Sequence, residues 1–186
     1  METKNSNSLL KSALNAGLIS GIVLVIYSMI LYFAGLNLNQ VFGYFSMVIL
    51  AVCIFIFGKL RRDKELDGYT TYSDALGYGI LVGVFASILV AFFTFIEIKF
   101  LDPSIVEKQL DIAQQKMADK GLSEEQIGKA LEISKKFMTP AIMFIATIFS
   151  FAFWSLIISL ITSAIIKKNP NPFDSAMKNT EEPQNQ

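Results

Sequence analysis

Residues 75–100 read ALGYGILVGVFASILVAFFTFIEIKF, and this stretch decides the fold class. Its only charged residues are Glu97 and Lys99, and at roughly 1.5 Å per residue a helix of this length spans the ~30 Å hydrocarbon core of a bilayer. Small residues recur at every fourth position and so share one helix face: Ala75, Gly79, Gly83, Ser87 and Ala91. In lipid, such a face lets another helix backbone approach closely. The stretch therefore predicts a transmembrane helix that packs tightly along one side.

Three further apolar blocks are long enough to be transmembrane helices: residues 13–34, 41–58 and 141–166. The first is longer than the apolar region of a cleavable signal peptide, about 7 to 15 residues, so we interpret it as a retained span. Ser73 and Asp74 are the expected N-cap of the span over residues 75–100. The mean hydropathy of +0.48 fits this class. We therefore predict an all-α, polytopic four-helix transmembrane bundle, a single membrane domain covering residues 13–168.

Two other spans carry shorter small-residue faces, which makes three predicted helix-packing faces in all. The first span has Ala13, Gly17 and Gly21, and the fourth has Ser155, Ser159 and Ser163. Two interpretations stay open: these faces pack inside the chain's own bundle, or they mediate homo-oligomerisation or contact with another membrane protein. Among the aromatic residues, Trp154 is expected to fill the bundle, whereas Tyr69, Tyr72 and Tyr78 suit an aromatic belt at the membrane surface.

Between the third and fourth spans, hydropathy falls while a helical pattern continues. Val106, Leu110, Ala113 and Met117 recur at helical spacing, Gly121 suits a C-terminal cap, and 123–126 reads as a capping box. We therefore predict an extramembrane helical hairpin over about residues 104–138. Its alternating charges favour a solvated surface. The alternative is that Val106, Leu110 and Met117 dock a partner protein or a second copy of the chain.

The distribution of Lys and Arg predicts the orientation in the membrane, because basic residues near span ends favour the cytoplasmic side. The first connector has none, whereas the second carries Lys59, Arg61, Arg62 and Lys64. This places both termini in the cytoplasm, with residues 1–12 as a cytoplasmic segment. Residues 169–186 are polar and contain three prolines, which predicts a disordered cytoplasmic tail.

Composition argues against most site chemistry. The chain has no His and one cysteine, Cys53, and its 16 Lys+Arg balance 16 Asp+Glu. We therefore expect no metal, no cofactor, no catalytic residues and no nucleic-acid partner, and we do not expect an enzyme. Glu97 falls near the far membrane boundary, which favours an interfacial role over a buried ion site. Asn15 falls near the opposite boundary and is expected to pack or cap.

These observations favour a non-enzymatic membrane component in a lipid bilayer. It would associate with itself or with partner proteins through the small-residue helix faces and the outer hairpin. The alternative is a subunit of a small transporter or channel, in which several chains line a path.

Three short sequence motifs carry a family resemblance. They are GYTTY at residues 68–72, FLDP at 100–103, and KM followed by GLSEEQI over 116–127, before Thr139 and Pro140. Over about residues 10–168 the chain resembles domain of unknown function family 4199, a family of bacterial membrane proteins. The resemblance implies a four-helix protein of the inner membrane of Bacteroidetes-type bacteria. It brings no activity, ligand or catalytic residue.

Overall fold

The computed structural model describes residues 2–169, with side chains described from residue 8 onward. This part of the chain forms six α-helices and one π-helical turn: α1 (Glu2–Phe33), α2 (Gln40–Glu65), α3 (Tyr72–Ile96), the π-helical turn (Glu97–Leu101), α4 (Ile105–Asp119), α5 (Glu124–Phe137) and α6 (Pro140–Ile166). Four helical segments are long and apolar enough to cross a membrane: Ser8–Phe33, Gln40–Glu65, Tyr72–Leu101 and Pro140–Ile166. The predicted all-α class with four spans is confirmed. The predicted tail lies outside the described residues, apart from Asn169.

Local side-chain chemistry sets where the helices begin. α3 begins at Tyr72 because Thr71 is its N-cap, with the Thr71 hydroxyl accepting a hydrogen bond from the Asp74 amide at 3.2 Å. The prediction of Ser73 or Asp74 as the cap was wrong by two or three residues. α6 begins with Pro140 after the N-cap Thr139, a position where the missing N–H of proline leaves no bond unmade. α2 continues to Glu65, seven residues past the predicted span. Hydropathy marks only where the apolar part ends, and the helix itself continues because Lys, Arg and Glu are good helix formers.

α3 lies at the centre of the bundle. It packs against α6 on one side and α1 on another, and α2 contacts α1, α3 and α6. The apolar core runs along these interfaces and includes Leu24 of α1, Leu50 and Ile54 of α2, and Val82 of α3, each no more than 1% exposed. α3 is therefore the helix around which the other spans assemble.

Hydrogen bonds identify which span ends lie together. At one end, which we call the Thr70 end, Thr70 and Lys168 exchange two backbone hydrogen bonds of 3.0 Å, and the Ser12 hydroxyl donates to Glu65 at 2.7 Å. At the other, the Glu97 end, the Asn37 amide donates to Glu97 at 3.1 Å. The start of α1, the second connector and the end of α6 are therefore on one side of the bundle.

The two short helices α4 and α5 lie at the Glu97 end and contact each other. Gly121 in the turn between them has φ of +78°, a left-handed conformation that glycine adopts without strain. The capping box predicted at the start of α5 is present, formed by Ser123 and Gln126. The placement of this pair outside the membrane stays a prediction.

Two expectations for aromatic residues were wrong. Trp154 is 40% exposed and packs edge to face on Phe153, because the serines next along α6 occupy the face toward α3 and turn the indole outward. Tyr78 is 2% exposed rather than part of a surface belt. The Arg61 guanidinium lies 5.0 Å from the centre of its ring.

Candidate functional site

The small-residue faces meet bulky or hydroxyl-bearing neighbours inside the chain. A β carbon placed on Gly79 would overlap the Ser159 hydroxyl, and one on Gly83 would overlap Ser155. The residues of these two faces are all buried: Ala75, Gly79, Gly83, Ser87 and Ala91 on α3, and Ser155, Ser159 and Ser163 on α6. The contact between α3 and α6 is therefore a close approach of backbones that larger side chains would prevent.

The face on α1 meets a different side of α3. A β carbon on Gly17 would overlap Phe85, and one on Gly21 would lie 2.8 Å from a methyl group of Leu89. Ala13, one turn before Gly17, is fully buried. All three small-residue faces thus have neighbours within one chain, which leaves little of them free for a second molecule.

Buried hydroxyl groups follow the interface between α3 and α6. Ser155 donates to the backbone carbonyl of Ala152 at 2.9 Å, and Ser87 donates to that of Val84 at 2.6 Å. The hydroxyls of Ser159 and Ser163 make no hydrogen bond within residues 2–169. Neither serine lines the polar cavities at the two ends of the bundle, so the serines serve packing rather than an open site.

A polar chamber of about 220 Å³ opens between the spans at the Glu97 end. Six elements each contribute one polar side chain: Ser28 from α1, Asn37 from the first connector, Ser46 from α2, Thr94 from α3, Glu97 from the π-helical turn and Gln109 from α4. Met143 of α6 lines the cavity with an apolar side chain. Glu97 is partly buried, and it supplies the only carboxylate among these lining residues. We call this cavity the Glu97 chamber.

The chamber ends at an apolar layer. Leu24, Leu50 and Val90 lie four residues deeper than Ser28, Ser46 and Thr94 on the same three helices, which places each pair on one helix face. Leu24 is 1% exposed, Leu50 0% and Val90 7%, and all three belong to the continuous core. At roughly 1.5 Å per residue, Thr94 lies about 10 Å from the end of the span at Leu101. The chamber therefore penetrates about a third of a hydrocarbon core and then closes.

Helix α4 covers part of the mouth of the chamber and leaves the rest open. Ile105, which is 4% exposed, and Gln109 line it from this helix. The same helix borders a wider cleft of about 450 Å³ against the first connector, where Asn39, Gln40 and Lys116 are among the lining residues. Gln109, Asn37 and Gly43 border both cavities, so the cleft and the chamber are direct neighbours.

Asp102, between the π-helical turn and α4, fixes the start of this cover. Its carboxylate accepts hydrogen bonds from Lys108 at 2.8 Å and from the Ser104 hydroxyl at 2.5 Å. The Lys108 ammonium, followed by the Ser104 hydroxyl, holds the pKa of Asp102 below its usual value. The ionised carboxylate thereby ties the first turn of α4 to the end of the π-helical turn.

The three residues predicted to dock a partner lie on α4, outside both cavities. Val106, Leu110 and Met117 are partly buried. The most exposed apolar side chains of residues 104–138 belong to α5, where Ile133 is 57% and Phe137 63% exposed, whereas Leu122 in the preceding turn is 37% exposed. The periodicity of α4 thus identified a half-covered face, while the exposed pair on α5 was not singled out.

A second polar cavity, of about 150 Å³, lies at the Thr70 end between α1 and α2. It is lined by Ser12 and Asn15 of α1 and by Arg61, Lys64 and Glu65 of α2, with Tyr78 of α3 behind them. Asn15 is exposed at its rim. Arg61 is 5% exposed. It was used only as one of the basic residues that predict orientation, and its burial was not predicted from the sequence.

Comparison with known proteins identifies a family and nothing narrower. No curated protein and no solved structure matches the chain. A family model described as "Protein of unknown function (DUF4199)" matches residues 15–168, which includes most of the first span, the other three spans and the short helices. The chain, a membrane protein with four candidate spans, therefore belongs to the DUF4199 family, as the sequence resemblance implied.

Proposed function

We propose that this protein is a non-enzymatic membrane protein that binds a small cation, such as a monovalent metal ion or a protonated amine, in the Glu97 chamber. It would act as a subunit of a small transporter or channel. The observation that carries the proposal is the convergence of one carboxylate, two amides and three hydroxyl groups on a single chamber between the spans. Oxygen donors around one negative charge are the ligands that hard cations and ammonium groups prefer.

The apolar layer beneath the chamber gives the proposal its direction. Leu24, Leu50 and Val90 separate the chamber from the Thr70 end, so a solute would reach Glu97 only from the side of α4. An arrangement open to one side and closed to the other is what alternating access requires. By the predicted orientation, the chamber faces away from the cytoplasm.

Cysteine labelling in a Cys53→Ala background tests the chamber itself. Ser46→Cys lies in the chamber and is expected to react with a small, membrane-impermeant cationic thiol reagent added on the α4 side. Ile54→Cys, two turns deeper on the same helix at a position that is 1% exposed, leaves Leu50 in place, serves as the matched control and should not react. Equal labelling of the two positions, or none at Ser46→Cys, would contradict the proposed chamber.

Flux into reconstituted vesicles tests the function. Rubidium, sodium and methylammonium ions are the probes, and wild-type protein is expected to raise the uptake of at least one above that of empty vesicles. Glu97→Gln should abolish that uptake because it removes the carboxylate while keeping the shape of the side chain. Glu107→Gln, an exposed α4 substitution outside both cavities, should leave uptake unchanged. Uptake that survives Glu97→Gln would refute the assignment of the site.

A second candidate function is association with another membrane protein or a second copy through α5. The exposed pair Ile133 and Phe137 favours it, since they are four residues apart and share one face of a helix that otherwise carries ion pairs such as Lys129–Glu125. The small-residue faces are poor candidates for this role because they have neighbours inside the chain.

Crosslinking in native membranes separates this candidate from the first. Wild-type chain should give crosslinked species that Ile133→Ser with Phe137→Ser removes, while Leu122→Ser, at the turn before α5, leaves them unchanged. A strictly monomeric pattern in all three proteins would exclude association through α5.

A further inference from the structure

Arg61 is unusual for a charged residue in this bundle. Its side chain is 5% exposed, and its Nε atom makes no hydrogen bond to any residue between 2 and 169. The closest carboxylate oxygen, on Glu65, is 3.8 Å from Nε, which is too long for a hydrogen bond. A buried guanidinium nitrogen without a hydrogen bond is costly, so a missing ligand is a natural explanation for the placement of Nε.

Glu65 offsets only part of the positive charge of this cavity. The carboxylate accepts a hydrogen bond of 2.7 Å from Ser12 through its other oxygen, which directs part of its charge toward α1. Lys64 lines the same cavity, so Arg61 and Lys64 against Glu65 leave one net positive charge. The neighbouring Arg62 is engaged elsewhere, by Asp63 and by the carbonyl of Ile166.

The cavity beside Arg61 changes character with depth. Its outer part carries the polar groups of Ser12, Asn15 and Lys64. The inner part is lined by Ile19, four residues deeper than Asn15 on α1, and by Phe57, four residues deeper than Arg61 on α2. Ile19 is 49% exposed on the surface that a bilayer would cover. A ligand that fits both parts has an anionic head and an apolar body.

We infer that this cavity, the Arg61 site, binds the phosphate group of an anionic phospholipid. The phosphate would accept hydrogen bonds from the Arg61 guanidinium, with the Asn15 side-chain amide as a further donor and Lys64 as a second cation at the rim. The acyl chains would follow the groove past Ile19 and Phe57. Basic pockets between spans at the cytoplasmic side, where the predicted orientation puts this end, meet the leaflet rich in anionic lipid.

Lipid binding to the purified full chain in neutral detergent tests the inference. Thermal unfolding and native mass spectra are recorded with phosphatidylglycerol, with phosphatidylcholine and with inorganic phosphate. Phosphatidylglycerol is expected to raise the unfolding temperature and to remain bound as one adduct, because a ligand of the folded state stabilises it. Phosphatidylcholine should do so less.

Three variants locate the site. Arg61→Gln should weaken phosphatidylglycerol binding by about tenfold or more, as expected for loss of charge-assisted hydrogen bonds. Asn15→Trp obstructs the rim with every charge kept, so it tests the cavity even if Arg61→Gln fails to fold. Lys59→Gln removes a cation from the same end of α2 but outside the cavity, and it should bind as wild type does.

The results that would overturn the inference are equally specific. Equal retention of phosphatidylglycerol by wild type, Arg61→Gln and Asn15→Trp would remove the site. Equal effects of phosphatidylglycerol and phosphatidylcholine would remove the anionic selectivity. Stabilisation by inorganic phosphate alone, with no gain from either lipid, would assign the site to a free phosphate and refute the lipid.

Discussion

Gly83 of α3 lies against Ser155 of α6 with no space for a side chain between them. A β carbon on Gly83 would overlap both the Cβ and the Oγ of Ser155. Gly77, six residues earlier on α3, has no neighbouring atom within 4 Å of the position where its β carbon would be. Two glycines of one helix thus differ only in whether another helix covers them.

Gly83→Leu should destabilise the bundle, because its side chain must displace the α6 backbone. Overpacking of a close contact costs about 1–3 kcal/mol, and a leucine in a helix–helix crossing lies at or above the top of that range. Gly77→Leu should be neutral or slightly stabilising, since leucine has the higher helix propensity by up to about 1 kcal/mol. Thermal unfolding in detergent measures both.

Equal unfolding temperatures for the two leucine variants would contradict the close approach of α3 and α6. The comparison also bears on association experiments. Because Gly83→Leu is expected to disturb the fold of a single chain, a loss of oligomers in that variant would not identify an interface.

Leu50→Ala should destabilise the protein and make the Glu97 chamber deeper. Leu50 is fully buried in the apolar layer, and truncating a buried leucine to alanine costs about 2–5 kcal/mol. Val52→Ala, on the same helix but 50% exposed, is the control and should cost much less. Unfolding in detergent gives the stabilities. An equal loss in both variants would mean that Leu50 does not close the chamber.

Acidification should loosen the start of α4. The pKa of Asp102 is lowered in the folded protein by Lys108 and Ser104, so the carboxylate contributes stability at any pH above its unfolded value of about 3.9, and this contribution is lost as the pH falls through the folded value. Hydrogen-exchange protection of amides 104–108, corrected for intrinsic rates, should fall over that range.

Asp102→Asn provides the control for this pH effect. Its protection at neutral pH should be lower than that of wild type, and the difference should vanish in acid. If the difference persists below the folded pKa of Asp102, its ionised form does not hold α4 in place.

Ser123→Ala should weaken the first turn of α5. The Ser123 hydroxyl accepts from the Gln126 amide, and the Gln126 side chain accepts from the Ser123 amide at 3.0 Å. Loss of an N-cap costs about 1 kcal/mol. Hydrogen exchange at residues 124–127 should therefore accelerate about fivefold, whereas Ser134→Ala, inside the helix, should leave these amides unchanged.

Much of the fold followed from local patterns in the sequence. Length and hydropathy predicted four spans, and the fourfold spacing of small residues on α3 marked the face that the structure buries. Gly121 and Ser123 marked the turn before α5 because glycine and serine supply a backbone conformation and a hydrogen bond that other residues supply less well.

The candidate sites could not be read in the same way, because their residues come from distant parts of the chain. Ser28, Ser46 and Glu97 converge only when three spans pack, and no local spacing relates them. The burial of Arg61 likewise depends on α1 and α3 covering one side of α2. The prediction for Trp154 was wrong because an apolar side chain in a membrane protein avoids water in two places. It can lie inside the bundle or on the outer surface that faces the lipid.

The glycine-lined face of α3 has a consequence for biosynthesis. α6 ends about 80 residues after the midpoint of α3, which at roughly 5–20 residues per second corresponds to about 4 to 16 seconds of translation. During that interval Gly79 and Gly83 lack their α6 neighbours Ser159 and Ser155. The small-residue face of α3 can then pack against another helix that carries small side chains. When α6 packs, its serines cover the small-residue face of α3, so the fourth span protects the nascent protein against pairing with a wrong helix.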